Sequence, residues 1–249
     1  MKALNKIKHK TNLTNILIDI YKDNLLAPTL GFKGGTAAML FYNLPRFSID
    51  LDFDLIPNYK EDSDEINSIV SRMTSLLSSR FTIKDQSVKY NTLFWLISYE
   101  KGTANIKIEV STREHKYNHY HIEHFYGVQI NIMDIRDMIA HKLVAATERS
   151  QVANRDLFDI HFFLTTEYAS EINYDIIKYR TGMDSIEFYE SFIKFLNKIK
   201  TNTILSGLGE VLDENQKDWA KSKLIIELKE LIQRQIDFIE NDNEYIIRV

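Results

Sequence analysis

Two short stretches of the chain carry residue types that could do chemistry together. The first is Gly-Gly-Thr at residues 34–36, and the second, after a spacer of thirteen residues, is Asp-Leu-Asp-Phe at residues 50–53. The alternation of apolar and acidic residues from 49 to 55 predicts a strand with its aspartates on one face. Successive carboxylates on such a face lie roughly 6.5–7 Å apart, so both can reach one divalent ion or bridge a close pair of ions.

The Gly-Gly-Thr segment has the composition of a phosphate-binding turn. It precedes a predicted helix from about Thr36 to Asn43, and a glycine turn that opens into a helix presents free N–H groups and the positive end of the helix dipole. Gly34 would permit the turn, Gly35 would let a phosphate approach the backbone, and the Thr36 hydroxyl could donate to a phosphate oxygen. The alternative is a tight turn beside a solvated strand face. The conjunction of both motifs favours a site for a nucleoside triphosphate and a metal ion.

The order and spacing of these motifs resemble a known signature. A G-G-[ST] turn followed by an acidic–hydrophobic–acidic strand is similar to the pattern of the polymerase-β-like nucleotidyltransferase superfamily. The fuller string GGTAAMLFYNLPRFSIDLDFDL resembles, more narrowly, the AbiEii/AbiGii family of toxin nucleotidyltransferases. The resemblance implies a metal site at Asp50 and Asp52, for which Mg²⁺ fits the hard oxygen ligands. The resemblance also implies that Arg46 and Ser48 bind the nucleotide, together with the residues of the glycine turn.

A third carboxylate is expected on a later strand. Residues 104–111 alternate, with apolar side chains on one face and Glu109 on the other. In the family that the chain resembles, the third metal-binding carboxylate occurs on such a strand, so the resemblance implies this role for Glu109. From the residues alone, an exposed strand glutamate paired to a lysine is the alternative.

The stretch from Met133 to Leu164 predicts two helices joined by a turn. The family shows a Lys-hydrophobic-x-Ala pattern, then an arginine, then an R-D-hydrophobic-x-D motif. Lys142, Arg149 and residues 155–159 match these in order. The resemblance implies that Lys142 contacts the nucleotide phosphates and that Asp156 supports the active centre.

The residues of this stretch also have an interpretation that needs no family. Asp156 and Asp159 lie three residues apart on one predicted helix face, where they can hold Arg155, Arg149 or Lys142. Taken alone, the pattern fits a surface ion-pair network near the start of a helix, where acidic residues are favoured.

Histidines cluster in residues 113–126, which hold four of the seven in the chain. A zinc site that uses His119, His121 and His124 is conceivable because imidazole is a good zinc ligand. The segment has neither a cysteine nor a helical H-x-x-x-H pair. The favoured interpretation is therefore a polar loop with aromatic anchors, of a kind that could contact nucleic acid.

The composition is that of a globular chain with enough apolar residues for a real core. It has 249 residues, of which 44% are hydrophobic, and a formal net charge of −4. The absence of cysteine excludes a disulfide framework, a thiolate metal site and a cysteine nucleophile. Because no apolar run approaches the length of a membrane span, we expect a cytoplasmic protein without a membrane partner.

The element pattern predicts an α/β (α+β) fold. Beside the acidic strand, strand-like stretches occur at about 80–86, 92–100 and 104–111, and the pattern beyond residue 172 is helical. We expect a nucleotidyltransferase core domain at residues 1–130, built on a mixed sheet flanked by helices. A helical C-terminal domain is expected at residues 131–249.

The expected activity is Mg²⁺-dependent nucleotidyl transfer, in which a hydroxyl attacks the α-phosphate of a nucleoside triphosphate and pyrophosphate leaves. The resemblance implies a toxin of a toxin–antitoxin or phage-defence pair, with the tRNA 3′ end as acceptor and a cognate antitoxin encoded nearby. Transfer to a protein hydroxyl or a small molecule is an alternative. A catalytically inactive nucleotide-binding or interaction module is another.

Overall fold

A computed structural model describes residues 4–57, 59, 63–102, 105–114, 116–149 and 151–247, with side chains to residue 241. The chain divides into two compact units, Met1–Asp134 and Ile135–Val249. The first unit carries a sheet, and the regular elements described in the second unit are all helices. This is the α/β fold with a helical C-terminal region that the sequence predicts.

The first unit consists of seven strands and three helices in the part of the chain that is described. In chain order they are α1 Lys6–Tyr21, β1 Leu30–Lys33, α2 Gly34–Phe41, β2 Leu51–Leu55, α3 Asp64–Ser78, β3 Thr82–Lys89, β4 Thr92–Ser98, β5 Ile106–Ser111, β6 Tyr120–Phe125 and β7 Val128–Met133.

The strands form one mixed sheet in the order β3-β4-β5-β2-β1-β7-β6. β2 is the central strand; it runs parallel to β5 and antiparallel to β1. Its apolar residues Leu51, Phe53 and Leu55 are buried, as the alternation predicts. Because β2 has neighbours on both sides, its register fixes which polar residues of β1 and β5 lie beside its aspartates.

The prediction of a polar loop at residues 113–126 is wrong for the second half of this stretch. This half is strand β6, which pairs with β7 in an antiparallel hairpin. The turn is Tyr126-Gly127, with positive φ at both residues (46° and 82°), as two-residue hairpin turns require. His121 and His124, three residues apart on this strand, point to opposite faces of the sheet. The strand was missed because it lies at the sheet edge and its residues are only partly buried, so it has no apolar alternation.

The core of the first unit lies between the sheet and its helices. α1 packs against α3 and β7, and α2 packs against β1 and β2. The Phe32 and Phe53 rings, on adjacent strands, lie 5.3 Å apart between centroids, and both are fully buried. The glycine turn and the acidic strand therefore rest on a packed aromatic layer.

The second unit is a set of helices around its own core. Its helices are α4 Ile135–Glu148, α5 Asn154–Leu164, α6 Tyr174–Thr181, α7 Ser185–Leu196, α8 Glu214–Ser222 and α9 Leu224–Ile247. α7 begins with a capping box, in which Asp184 and Glu187 bind each other's backbone N–H groups. The aromatic residues of α7 are core residues: Phe188, Tyr189 and Phe192 are buried. No helix within the described ranges combines the length and apolarity needed to cross a membrane.

Candidate active site

The glycine turn lies directly beside the acidic strand. β1 runs into α2 without a loop, and its last residue, Lys33, pairs in register with Asp52. Gly34 follows with a φ of +80°, and a Cβ built on it would lie 2.5 Å from Asp52 Oδ2. Glycine is required at this position for two reasons. The backbone of Gly34 is left-handed, and the Asp52 carboxylate occupies the space that a Cβ atom would need.

The second glycine faces two other predicted residues. A Cβ on Gly35 would lie 2.9 Å from Arg46 Nη2 and 3.0 Å from Ser48 Oγ. Both of these side chains are buried, and the Arg46 guanidinium also donates to the Phe47 carbonyl oxygen at 3.1 Å. The start of α2 is therefore lined by a buried cation and a hydroxyl, beside N–H groups with no partner inside the helix.

Thr36 connects the turn to the strand. Its side chain is fully buried, and its hydroxyl lies 2.9 Å from Ser48 Oγ and hydrogen-bonds the Asp50 carbonyl oxygen. The Asp50 carbonyl oxygen accepts the single hydroxyl proton of Thr36, so this proton is already used within the protein and the geometry favours a positioning role for Thr36. Its predicted contact with a phosphate stays a prediction.

The three predicted carboxylates are brought together by strand register. Asp52 of β2 pairs with Glu109 of the parallel strand β5, and Asp50 immediately precedes β2. Between them lies a residue without a predicted role, Lys107. Its Nζ is 3.1 Å from Glu109 Oε2 and 3.7 Å from Asp50 Oδ2. The lysine partner that the alternative interpretation of Glu109 requires is thus present, inside the acidic cluster.

The electrostatics of this cluster are strongly coupled. Burial, and then the neighbouring Asp50 carboxylate, raise the pKa of Asp52 to about 6, and Lys107 partly opposes this. Burial by itself would lower the pKa of Lys107. The Asp50, Glu109 and Asp52 carboxylates outweigh that effect, so the pKa of Lys107 is raised.

The donor set of the cluster fits a hard divalent cation. Among the described residues, no group of three or more His, Asp or Glu side chains is already arranged as a metal site. The Asp50, Asp52 and Glu109 carboxylates nevertheless surround one positive charge, the Lys107 ammonium, which occupies the position of a cation. Carboxylate oxygens are the ligands that Mg²⁺ prefers, so the chemistry of these side chains fits the ion.

The third aspartate of the strand has a structural role. The Asp54 side chain is fully buried, forms an ion pair with Lys33 and accepts hydrogen bonds from Tyr120 (2.8 Å) and Asn118 (3.3 Å). Tyr120 packs over Gly31, where a Cβ would lie 2.3 Å from the ring. Of the three aspartates that alternate on this face, Asp50 and Asp52 are the two beside Lys107 and Glu109.

His9 supports the approach to the acidic strand, although the sequence pattern assigns no chemistry to it. The ring is fully buried in α1, with Nε2 2.9 Å from the Ile49 carbonyl oxygen and Nδ1 3.1 Å from the Tyr99 hydroxyl. Burial lowers the pKa of His9, against the opposing effects of the Ile49 hydrogen bond and of Asp50. A neutral imidazole therefore holds the residue that precedes Asp50.

In the helical unit, Lys142 is held between two carboxylates of α5. Its Nζ lies 2.5 Å from Asp159 Oδ2 and 3.6 Å from Asp156 Oδ1, and Arg149 Nη1 lies 3.1 Å from Asp156 Oδ2. The Asp159 side chain is fully buried. Arg155, one of the three predicted partners, donates instead to the Gly207 carbonyl oxygen. The roles of Lys142 at the phosphates and of Asp156 at the active centre stay predictions.

Comparisons with known proteins agree with this geometry. A family model described as "Nucleotidyl transferase AbiEii toxin, Type IV TA system" matches residues 16–225. No curated protein matches the sequence.

Two crystal structures of Helicobacter pylori proteins share the fold. JHP933 is 20% identical, with a TM-score of 0.63 over 99% of both chains. A second protein, provisionally assigned as a nucleotidyltransferase, is 21% identical, with a TM-score of 0.62 over 95% of this chain and 96% of its own.

Proposed function

The chain belongs to the AbiEii nucleotidyl transferase toxin family, whose model spans residues 16–225, and from this premise we propose that it transfers a nucleotide from a nucleoside triphosphate to an acceptor hydroxyl. The hydroxyl oxygen bonds to the α-phosphorus and loses its proton, while the bond to the pyrophosphate oxygen breaks. Pyrophosphate is the leaving group.

One observation carries this proposal. The register of β1, β2 and β5 puts the Gly34 backbone against the Asp52 carboxylate and puts Asp52 beside Glu109. A phosphate at the start of α2 would therefore lie next to the carboxylates. Nucleotidyl transfer needs this arrangement, because the reacting phosphate must contact both an anion cradle and a metal site.

Mg²⁺ is the cofactor that this donor set supports. Asp50, Asp52 and Glu109 would hold it. When bound, the ion lowers the pKa of the attacking hydroxyl and stabilises charge on the phosphates.

The proposed phosphate contacts of the first unit lie at the start of α2. The free N–H groups at the start of α2 and the Arg46 guanidinium beside Gly35 supply positive charge for the leaving pyrophosphate. Ser48 and Thr36 fix this lining through the hydrogen bond between their hydroxyls. The family pattern supports Lys142 as a further phosphate contact, and Asp156 and Asp159 orient its ammonium.

The proposed acceptor is the 3′ end of tRNA, and the proposed setting is a toxin–antitoxin pair active in phage defence in the cytoplasm. Support for the pair comes from the family, which is described as a type IV toxin–antitoxin system and so implies an antitoxin partner. The tRNA acceptor rests on the resemblance of the motifs described above.

The experiment is a labelling assay. Purified protein is incubated with Mg²⁺, total tRNA and each α-labelled nucleoside triphosphate in turn, beside Asp50→Asn and a control, Asp85→Asn, which changes an exposed aspartate of β3. We expect label on tRNA with the unmodified protein and the control, and none with Asp50→Asn.

If the label appeared on protein or on a small molecule, that molecule would be the acceptor and the tRNA proposal would be wrong. Triphosphate binding without pyrophosphate release, whatever the acceptor, would replace enzymatic transfer with an inactive nucleotide-binding module.

A further inference from the structure

Lys107 is the residue of the acidic cluster that the proposed reaction leaves unused. It lies on β5 two residues before Glu109, so both side chains project from the same face of the strand. Its Nζ contacts the Glu109 carboxylate at 3.1 Å and lies 3.7 Å from that of Asp50, and its side chain is about one-third exposed (35%).

The charges of the cluster explain why a cation is needed there. Asp50, Asp52 and Glu109 lie close enough together for Asp50 and Glu109 to disfavour ionisation of Asp52. Lys33, the other lysine next to Asp52, forms an ion pair with the buried Asp54. Without a metal ion, the ammonium of Lys107 therefore compensates part of the repulsion among the three carboxylates.

A divalent ion and this ammonium cannot share the position. A metal ion held by Asp50 and Glu109 would compete with Nζ for the same two carboxylates, and two cations in a partly buried site repel each other strongly. Lysine suits a reversible role, because its charge is carried on a flexible four-carbon stem that can swing toward solvent.

We propose that Lys107 is a built-in counter-ion of the acidic cluster, which holds the carboxylates together without metal and which a divalent cation must displace to bind. This inference rests on the proposed function, since it takes Asp50, Asp52 and Glu109 as the metal ligands. It makes Lys107 a positioning residue that sets the affinity of the site for metal.

The test is Mn²⁺ binding to the full chain, measured without nucleotide by electron paramagnetic resonance. In Lys107→Met we expect binding to tighten about tenfold or more, because the competing charge is gone. Lys107→Arg keeps the charge and should bind Mn²⁺ as the unmodified protein does. Lys84→Met removes an exposed charge from β3 in the same sheet and should leave the affinity unchanged.

A second readout is thermal unfolding in the presence of a chelator. We expect Lys107→Met to lower Tm, since the carboxylates lose their counter-ion, and added Mn²⁺ to raise Tm more in this variant than in the unmodified protein. Lys107→Gln replaces Lys107→Met if the latter does not fold.

The outcomes separate the two proposals. If Asp50→Asn abolishes Mn²⁺ binding while the neutral Lys107 variants bind as weakly as the unmodified protein or more weakly, the counter-ion inference is wrong and the metal site stands. If Mn²⁺ binding does not depend on Asp50, the metal site itself is wrong, and the inference is overturned with it.

Discussion

Asp52 is a residue whose ionised form is unfavourable in the folded chain. Its carboxylate lies against the Gly34 backbone and beside two other acids, and its pKa is raised to about 6 from 3.8. A raised carboxylate pKa means that the folded chain binds the proton more tightly than the unfolded chain does. The stability from this group is therefore complete below pH 3.8 and is lost as the pH rises through about 6.

Asp52→Asn should accordingly stabilise the metal-free protein while it abolishes nucleotidyl transfer. In chelator at pH 7 we expect the free energy of unfolding to rise by about 1–3 kcal/mol, the cost of ionising this carboxylate in the folded chain. Denaturant titrations between pH 4 and pH 8 would measure it. Asp85→Asn, on an exposed strand position, should show no such gain. If Asp52→Asn were less stable than the unmodified protein at pH 7, the ionised Asp52 carboxylate would not destabilise the folded chain, and its raised pKa would be contradicted.

Gly34 makes a second prediction at the residue scale. Gly34→Ala places an alanine in a left-handed backbone conformation, which destabilises the fold by about 1–2 kcal/mol. It also forces a methyl group into the Asp52 carboxylate. Gly127→Ala is the matched control, because Gly127 has a φ of +82° with open space around its Cβ position.

Both variants should lose stability in denaturant titrations, with the larger loss in Gly34→Ala, which should also be inactive. Equal losses and retained activity in both would show that the close approach to Asp52 does not matter.

At the scale of elements, the α4–α5 pair depends on a buried ion pair. Lys142 and Asp159 are both largely buried, whereas Asp156 lies further from the ammonium and also pairs with Arg149. Removing one member of a buried pair leaves the other charge uncompensated, at about 3–5 kcal/mol.

We therefore expect Asp159→Asn to destabilise the protein by several kcal/mol, on the order of that penalty, and more than Asp156→Asn does. Urea unfolding of the two isosteric variants compares them directly. If Asp156→Asn proved the more destabilising, Asp156 and not Asp159 would be the main partner of Lys142.

Elements with a strong local pattern could be predicted from the sequence. β2 alternates, and the glycine pair marks the start of α2, so both elements were identified with boundaries shifted by about two residues, as is usual for element ends. Strand β6 could not be predicted, because an edge strand such as Tyr120–Phe125 has no buried face to alternate. Its partner β7 does alternate, with Val128, Ile130 and Ile132 buried, so this strand could have been predicted from the sequence.

Whether an individual polar residue is buried or lies in the site depends on how strands that are distant in the chain pair with each other. Asp50, Asp52 and Asp54 look alike in the sequence, yet Asp54 is buried by Lys33, Asn118 and Tyr120. Lys107 enters the site only because β5 lies parallel to β2, and register between strands so distant in the chain cannot be inferred from alternation alone.

On the scale of the whole molecule, the two units carry different groups of charged residues. The sheet unit carries the glycine turn and three carboxylates, and the helical unit carries the Lys142 network. Family membership covers both, since the matched residues, 16–225, extend from α1 into α9. We propose that Asp50, Asp52 and Glu109 act as one catalytic centre.

Glu109→Gln tests this claim most directly, because Glu109 is the member whose ion pair with Lys107 could be merely structural. The measurement is the initial rate of pyrophosphate release with Mg²⁺, nucleoside triphosphate and tRNA, beside Glu123→Gln on the exposed strand β6. We predict a loss of about 100-fold or more for Glu109→Gln, as for other groups that stabilise transition-state charge, and no change for Glu123→Gln. Equal rates in the two variants, with both proteins folded, would contradict the three-carboxylate centre.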